Sequence, residues 1–290
     1  MIEFRKIDYS RDLNEIIGLI QKHLDSSFTM DLFRWKHLEN PFGRSYGLLA
    51  LDDDRVVGLR MFMFWEFFNA VDGSTLRAIR PVDTVVDRDY RGQGLFKRLT
   101  LKGLEECKEK YDFVFNTPNE NSLPGYLKMG WQKTEQVSYI RIAIVNPFKK
   151  PIKFENVEKG HIDFEEKHRY HDALTTYRSA AYIKWRYQDS AYKVAYFPEK
   201  NLYVSYHVGR KYLIIYEIFG DLKASPTRIF NSLARKTGKS LVYYYKNRIV
   251  QKINLPLSLR RKKPVIVTKY IPQEWIRNMD FSLADLEAVF

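Results

Sequence analysis

Cysteine is almost absent from this chain of 290 residues: Cys107 stands alone, which excludes an internal disulfide. That usage suits a reducing compartment, and a cytoplasmic location is expected. On what reads as the inner face of a helix, Cys107 is a small buried hydrophobe rather than a nucleophile. No histidine–cysteine cluster at ligand spacing occurs, so no metal is expected. Long apolar runs are missing too. The most apolar stretch, MFMFWEFFNA at 61–70, is broken by Glu66 and is half the ~20 residues that a membrane span needs. The opening MIEFRKIDYSRDL lacks the apolar core of a secretory signal, and no membrane span is expected. Acidic residues are scarce in the second half. Of the net charge of +13, residues 1–150 carry +2 and residues 151–290 the other +11, peaking at LSLRRKKP, 257–264. Such a balance fits an acidic partner or a well-solvated cationic face.

What is present fits a globular protein, with 45% hydrophobic and 29% charged residues. IEFRKI reads as a strand, and the spacing of Leu13, Ile16, Ile17 and Ile20 as a helix. A second helix is expected over MDLFRWKHL, then strands at YGLLAL, RVVGLRMFMFWEFF and LRAIRPVDTVVD. A helix from about Gln93 to Lys110 leads to the strand YDFVFN. Pro124 suits the first turn of a short helix ending before Gly130. SYIRIAIV adds a strand, and NPFKKP (146–151) reads as a boundary, giving units 1–147 and 148–290. The second half echoes the first: Trp35-Lys36 and Trp185-Arg186 hold corresponding places before a strand, a turn and a longer strand. Ser225 is the expected N-cap of a later helix. The corresponding stretch GDLKASPT has no G-x-G, so the second copy is expected to lack the loop of the first.

That loop lies in VDRDYRGQGLFKRLT, 86–100. Two glycines between a strand and a basic amphipathic helix suggest an anion site, because a helix start offers unpaired N–H groups and glycine admits a phosphate. Neither the P-loop spacing nor the third glycine of a dinucleotide site is present.

Arg91-Gly92-Gln93-Gly94-Leu95-Phe96 after a fourth strand resembles motif A of the GNAT superfamily of acyl-coenzyme A N-acyltransferases, with Phe96 in place of the usual small residue. NENSLPGYLKMGW (119–131) is similar to the second cofactor segment of that family through Asn119, Ser122, Tyr126, Gly130 and Trp131. The resemblance covers roughly residues 1–145. It implies an α+β fold, a mixed and mostly antiparallel sheet with helices on both faces, in two tandem copies, the second degenerate. It also implies acetyl-coenzyme A as co-substrate. Backbone N–H groups from Gly92 to Phe96 would cradle its pyrophosphate, and Thr84, Val85 and Val86 would pair with the pantetheine arm as an added strand. Asn119 would hydrogen-bond that arm; as a turn residue before a helix it has an equally good structural reason to be there.

Tyr126 is the implied general acid. A thiol leaves near pKa 8.5 and an ordinary tyrosine sits near 10, so full proton transfer is uphill by about 2 kcal/mol, and a hydrogen bond alone is the alternative. For the base, which must act on an amine of pKa about 10.4, Asp83 is preferred to Glu66, with the C-terminal carboxylate of Phe290 as a further candidate. The expected acceptor is a primary amine of a small molecule or amino sugar, acidic if the charge of the second half is used; that half is expected to shape the acceptor site. Two rival readings are a nucleic-acid-directed protein and a non-catalytic coenzyme A-binding module. The second half holds 14 of the 20 tyrosines, but most fall in strands such as LVYYYKN, where aromatics are ordinary, so nucleic acid is not expected. Oligomeric state has no signature in the sequence.

Overall fold

The computed structural model describes residues 1–135, 137–146, 148, 150–158, 162, 173–220, 226–248, 250, 255 and 257–286. The chain divides into two compact units. The first comprises Met1–Phe67, Thr75–Lys133 and Ile266–Pro272; the second comprises Phe68–Ser74, Thr134–Val265 and the segment from Gln273 onward.

The first unit opens with β1 (Ile2–Lys6), α1 (Leu13–His23) and α2 (Met30–Phe33), which continues as a π-turn over Arg34–Leu38. Strands β2 (Tyr46–Asp52), β3 (Arg55–Asn69) and β4 (Thr75–Val86) follow, then α3 (Leu95–Glu106), β5 (Phe113–Asn116), α4 (Leu123–Lys128) and β6 (Gln132–Lys133). Helix α1 turns Ile16, Ile17, Leu19 and Ile20 into the core, as their spacing requires. Helix α3 lies so close to the sheet that a Cβ at Gly103 would sit 2.2 Å from the Phe62 ring.

The second unit contains β7 (Ile140–Ile144), β8 (Glu155–Val157), β9 (Leu174–Thr176), α5 (Ala180–Arg186), β10 (Tyr192–Phe197), β11 (Leu202–Val208), β12 (Leu213–Gly220), α6 (Pro226–Lys236), β13 (Leu241–Tyr245) and β14 (Ser258–Lys262). After β15 (Val267–Lys269), which belongs to the first unit, come α7 (Gln273–Asn278) and α8 (Leu283–Leu286).

The first sheet runs β1-β2-β3-β4-β5-β15-β6, and the second, from its far edge, β8-β10-β11-β12-β13-β7-β14. The two orders correspond strand for strand. In each, the fourth and fifth strands are parallel and the sixth is antiparallel to both neighbours. The fold is therefore α+β and mostly antiparallel, and the second half repeats the first. The expected boundary at 147 is corrected. SYIRIAIV pairs in the second sheet, where Ala143 and Val145 join the core of that unit, while β15 takes the equivalent place in the first sheet. Alternation in a sequence reports that a strand is half buried; it does not say which sheet buries it.

Correspondence extends to side chains. Lys36 and Arg186, which follow the paired tryptophans, are both buried. The second unit centres on buried Glu217 of β12. Arg178 Nε donates to it at 3.0 Å, Tyr187 Oη at 2.5 Å and Ser282 Oγ at 2.9 Å. The same Ser282 Oγ lies 2.8 Å from Asp285 Oδ2, whose oxygen also accepts the Ser282 amide at 2.7 Å, which ties the last helices to this network. Nearby, burial pushes the Asp280 carboxyl up to about 6, although it accepts the Arg248 amide. A raised carboxyl stabilises the fold below its unfolded value near 3.9, and that contribution is lost as pH rises through about 6. Asp280→Asn should therefore raise the melting temperature at pH 7 and flatten its decline between pH 4 and 6, by up to about 3 kcal/mol. Thermal melts across that range check it; an unchanged pH profile refutes it. Ser225, with the rest of 221–225, and the tip Ala288–Phe290 lie outside the described residues.

Candidate active site

Strand β4 pairs with β5 at Ala78↔Phe113 and Ile79↔Val114, and β5 ends at Asn116. Because β4 continues to Val86, its last residues, Thr84, Val85 and Val86 among them, run past the end of β5. Asp87 then stops the strand. It accepts the Asp89 amide at 3.2 Å, forms an ion pair with Arg55 and lies 3.6 Å from His23 Nε2. Tyr90 Oη donates to Asp52 at 2.9 Å, and Arg91 Nε to the Val86 carbonyl at 3.3 Å. The loop is held from both sides.

Gly92 and Gly94 have φ of +81° and +73°, a conformation that side-chain-bearing residues rarely adopt. A Cβ at either would meet no atom within 4 Å. Gly94 is also the N-cap of α3, and no side chain caps the helix there. Arg91, Gly92, Gln93 and Gly94 are exposed, Leu95 turns into the core, and Phe96 is half buried. Open space beside glycine backbone at an uncapped helix start fits a phosphate.

Phe96 departs from a small residue without strain because position 125 is glycine: a Cβ there would lie 2.8 Å from the Phe96 ring. Phe96 meets the Tyr126 ring edge-on at 5.5 Å, which joins the loop directly to Tyr126. Helix α4 ends two residues beyond, with Gly130 at φ +81°. There the Trp131 amide returns to the Tyr126 carbonyl at 3.2 Å and the Gly130 amide to Leu127 at 3.0 Å. Lys269 Nζ adds a bond to the Met129 carbonyl at 2.6 Å. The Trp131 ring packs 4.7 Å from that of Tyr126. The glycine–aromatic pair of the motif thus ends the helix and walls the tyrosine.

Tyr126 is 2% exposed. Its oxygen accepts from Arg60 Nη2 and from Asn116 Nδ2, each at 2.6 Å. Asn116 is oriented by its Oδ1, which accepts the Thr117 amide at 2.8 Å. Both phenolic lone pairs are therefore occupied, leaving the O–H to donate. Sequence reasoning missed Arg60 and Asn116. An arginine inside the apolar run RVVGLRMFMF was the available signal for Arg60.

Asp83 has φ +44°, a left-handed residue inside β4 just before Thr84. Its Oδ1 accepts Lys36 Nζ at 2.8 Å and its Oδ2 faces His37 Nε2 at 2.7 Å. The carboxylate only accepts, so the imidazole proton sits on Nε2, and Nδ1 accepts from Ser45 Oγ at 2.9 Å. The wide π-turn brings adjacent Lys36 and His37 to one carboxylate. Burial raises the Asp83 carboxyl, but the Lys36 charge and the His37 hydrogen bond outweigh it and hold the group well below the usual range. Burial lowers His37 despite its partner. Asp83→Asn should cost about 3–5 kcal/mol, because it leaves the Lys36 ammonium buried without its counter-charge. The contribution is complete above the ordinary carboxylate value near pH 4 and is lost as pH falls through and below it. Melting curves at pH 7 and pH 3 check both statements; an unchanged melting temperature at pH 7 refutes them.

Asn119 Oδ1 accepts the Ser122 amide at 2.9 Å, and Ser122 Oγ donates to the Asn119 carbonyl at 3.3 Å. This turn precedes α4 and leaves the Asn119 amide donors pointing to no described partner. Glu66, raised by burial, makes no hydrogen bond among the described residues. It lies on the same face of β3 as Arg60, six residues or about 20 Å along the strand, outside direct reach of Tyr126. Phe290 is not among the described residues. The Cys107 thiol is pushed up to about 12 by burial, as suits a packed hydrophobe. Among the described residues there is no group of three metal-ligating side chains, and no helix is long and apolar enough to cross a membrane.

The parallel β4–β5 pair thus parts beside a loop whose open backbone suits a phosphate, with buried Tyr126 next to it. Residues 4–134 match the sequence model of the acetyltransferase (GNAT) domain. Over 130 residues, 43% of this chain and 81% of the relative, the sequence is 28% identical to N-alpha-acetyltransferase 30 of Schizosaccharomyces pombe. A probable N-acyltransferase of Enterococcus faecalis V583 aligns with TM-score 0.70 and 13% identity, covering 92% of this chain and 72% of that one. A GCN5-related N-acetyltransferase from Kribbella flavida aligns with TM-score 0.68 and 13% identity, covering 92% and 71%. At such identities the structural likeness speaks of fold, and it extends over both units. Residues 4–134 are thus a GNAT acetyltransferase domain, and the acetyltransferase type is a property of that part of the chain.

Proposed function

We propose that the protein transfers the acetyl group of acetyl-coenzyme A to the primary amine of a small molecule, such as an amino sugar. The observation that carries this reading is Tyr126: its O–H is left as a donor, and its ring is packed on Phe96 of the phosphate loop. Bound acetyl-coenzyme A supplies an activated acyl group and a thiolate leaving group. The residues of the chain then divide the work. Gly92 to Phe96 hold the phosphates, Thr84 to Val86 offer backbone to the pantetheine arm, and Asn119 and Ser122 border it. Asp83, with both oxygens engaged, fixes the bend in β4 rather than taking a proton. With Glu66 remote, the amine proton leaves through water, and the rate should rise with pH toward the pKa of the amine.

A second acceptor, a peptide α-amine, is favoured by the match to an N-alpha-acetyltransferase. Release of free thiol from acetyl-coenzyme A, followed across amino sugars, amino acids, polyamines and short peptides, tests both. Turnover of the first three with none of the peptides supports the small-molecule reading. Preference for peptides overturns it, and binding of acetyl-coenzyme A without turnover of any amine overturns both. The +11 charge of residues 151–290 favours acceptors that carry an acidic group, so phosphorylated or carboxylated amines belong in the panel.

A further inference from the structure

Arg60 is 1% exposed, among the most buried charges in the chain. No described carboxylate pairs with it, and its Nε has no hydrogen-bond partner. Its single hydrogen bond among the described residues runs to the Tyr126 oxygen at 2.6 Å. Three aromatic rings lie around it, Phe96 at 5.2 Å, Tyr126 at 5.5 Å and Phe62 at 5.8 Å. A guanidinium taken out of water without a counter-anion is costly, and aromatic faces offset only a part of the cost. Asp83, by contrast, balances Lys36 outright. The charge missing beside Arg60 is one that the fold does not supply at rest.

We propose that Arg60, with Asn116, is the positioning residue of Tyr126, and that its counter-anion is the phenolate left when Tyr126 gives up its proton. This rests on the acetyl-transfer reading above. The amine nitrogen forms a bond to the thioester carbonyl carbon, the C–S bond breaks with its electron pair on sulfur, and the Tyr126 proton moves to that sulfur. The products are amide, thiol and phenolate; the proton shed by the new amide nitrogen, carried by water, restores the phenol. Arg60 and Asn116 fill both lone pairs of the oxygen, so the O–H is directed outward before the step. After the step, the same two donors face a full negative charge, where charge-assisted hydrogen bonds are strongest.

The test is a double-mutant cycle of Arg60→Met and Tyr126→Phe, with hydroxylamine as acceptor because it needs no recognition by an acceptor site. Thiol release, acetyl-coenzyme A affinity by calorimetry and melting temperature are read for each variant. Arg60→Met should lower kcat about ten- to a hundredfold with affinity changed by less than about twofold. In the Tyr126→Phe background the same change should lower kcat by less than about threefold, since the two residues act as one. If Arg60→Met does not fold, Arg60→Lys enters the same cycle and should show a smaller loss with the same non-additivity. A merely structural arginine would move melting temperature and leave the two kcat effects multiplicative, which overturns the proposal while acetyl transfer stands. A wild-type protein that binds acetyl-coenzyme A and releases no thiol to hydroxylamine overturns the transfer reading, and this proposal with it.

Discussion

Replacing Tyr126 with phenylalanine should cost turnover and stability together. Loss of a general acid lowers kcat by roughly ten- to a thousandfold, with little change in coenzyme A affinity. The structure adds a second consequence. The phenolic oxygen is the acceptor for Arg60 and for Asn116, both at 2.6 Å and both buried. Phenylalanine leaves a guanidinium and an amide without a partner, and each such group costs about 1–3 kcal/mol. A melting temperature lower by several degrees is therefore expected alongside the loss in kcat. The two effects separate by comparison with Asn116→Leu, which removes one donor and keeps the phenol. It also removes the acceptor of the Thr117 amide, so it should cost some stability but keep more activity than Tyr126→Phe. If Tyr126→Phe keeps full kcat with an authentic acceptor, Tyr126 is packing, and a lower melting temperature alone would not rescue the acid role.

The difference between Tyr126 and Arg60 shows what a sequence makes legible. Tyr126 lies in a local segment whose parts constrain one another within twelve residues: a turn at Asn119, and Gly130 with Trp131 closing the helix. Each is a short-range backbone requirement, so each leaves a residue type at a fixed offset. Arg60 acts across 66 positions, from the middle of a strand to a helix, and nothing near it in the chain announces the partner. Its only trace is a charge where alternation asks for an apolar side chain. Asp83 shows the opposite failure. Its place on the fourth strand was legible and suggested a base, but Lys36 and His37, 47 and 46 residues away, decide what the carboxylate can do. The β7 and β15 exchange is a third case. SYIRIAIV reads as a strand and β15 was not anticipated, and the sheet each joins depends on long-range pairing that periodicity does not encode. The loop conformation was legible because positive φ at Gly92 and Gly94 is a requirement of the local backbone.

Gly94→Glu should abolish coenzyme A binding. Gly94 ends the loop at φ +73° and begins α3 with no capping side chain, so the first-turn N–H groups face open space. A carboxylate placed there meets the positive end of the helix, takes up those donors and repels the incoming phosphates. The substitution also carries a backbone penalty: a residue with a Cβ in the left-handed region costs roughly 1–2 kcal/mol. Gly94→Ala carries the same penalty without the charge and serves as the reference. Alanine meets no atom within 4 Å, so it should fold, melt a few degrees lower, and bind coenzyme A within about tenfold of wild type. Glutamate should melt close to alanine, since the helix dipole favours an acidic residue at that end, yet lose affinity by at least about a hundredfold. Calorimetry with coenzyme A, and with its dephosphorylated pantetheine portion, completes the comparison. Pantetheine has no pyrophosphate, so its weaker binding should be nearly the same in all three proteins. Equal coenzyme A affinity in Gly94→Glu and wild type would remove the loop from the cofactor site, and with it the assignment of Gly92 to Phe96.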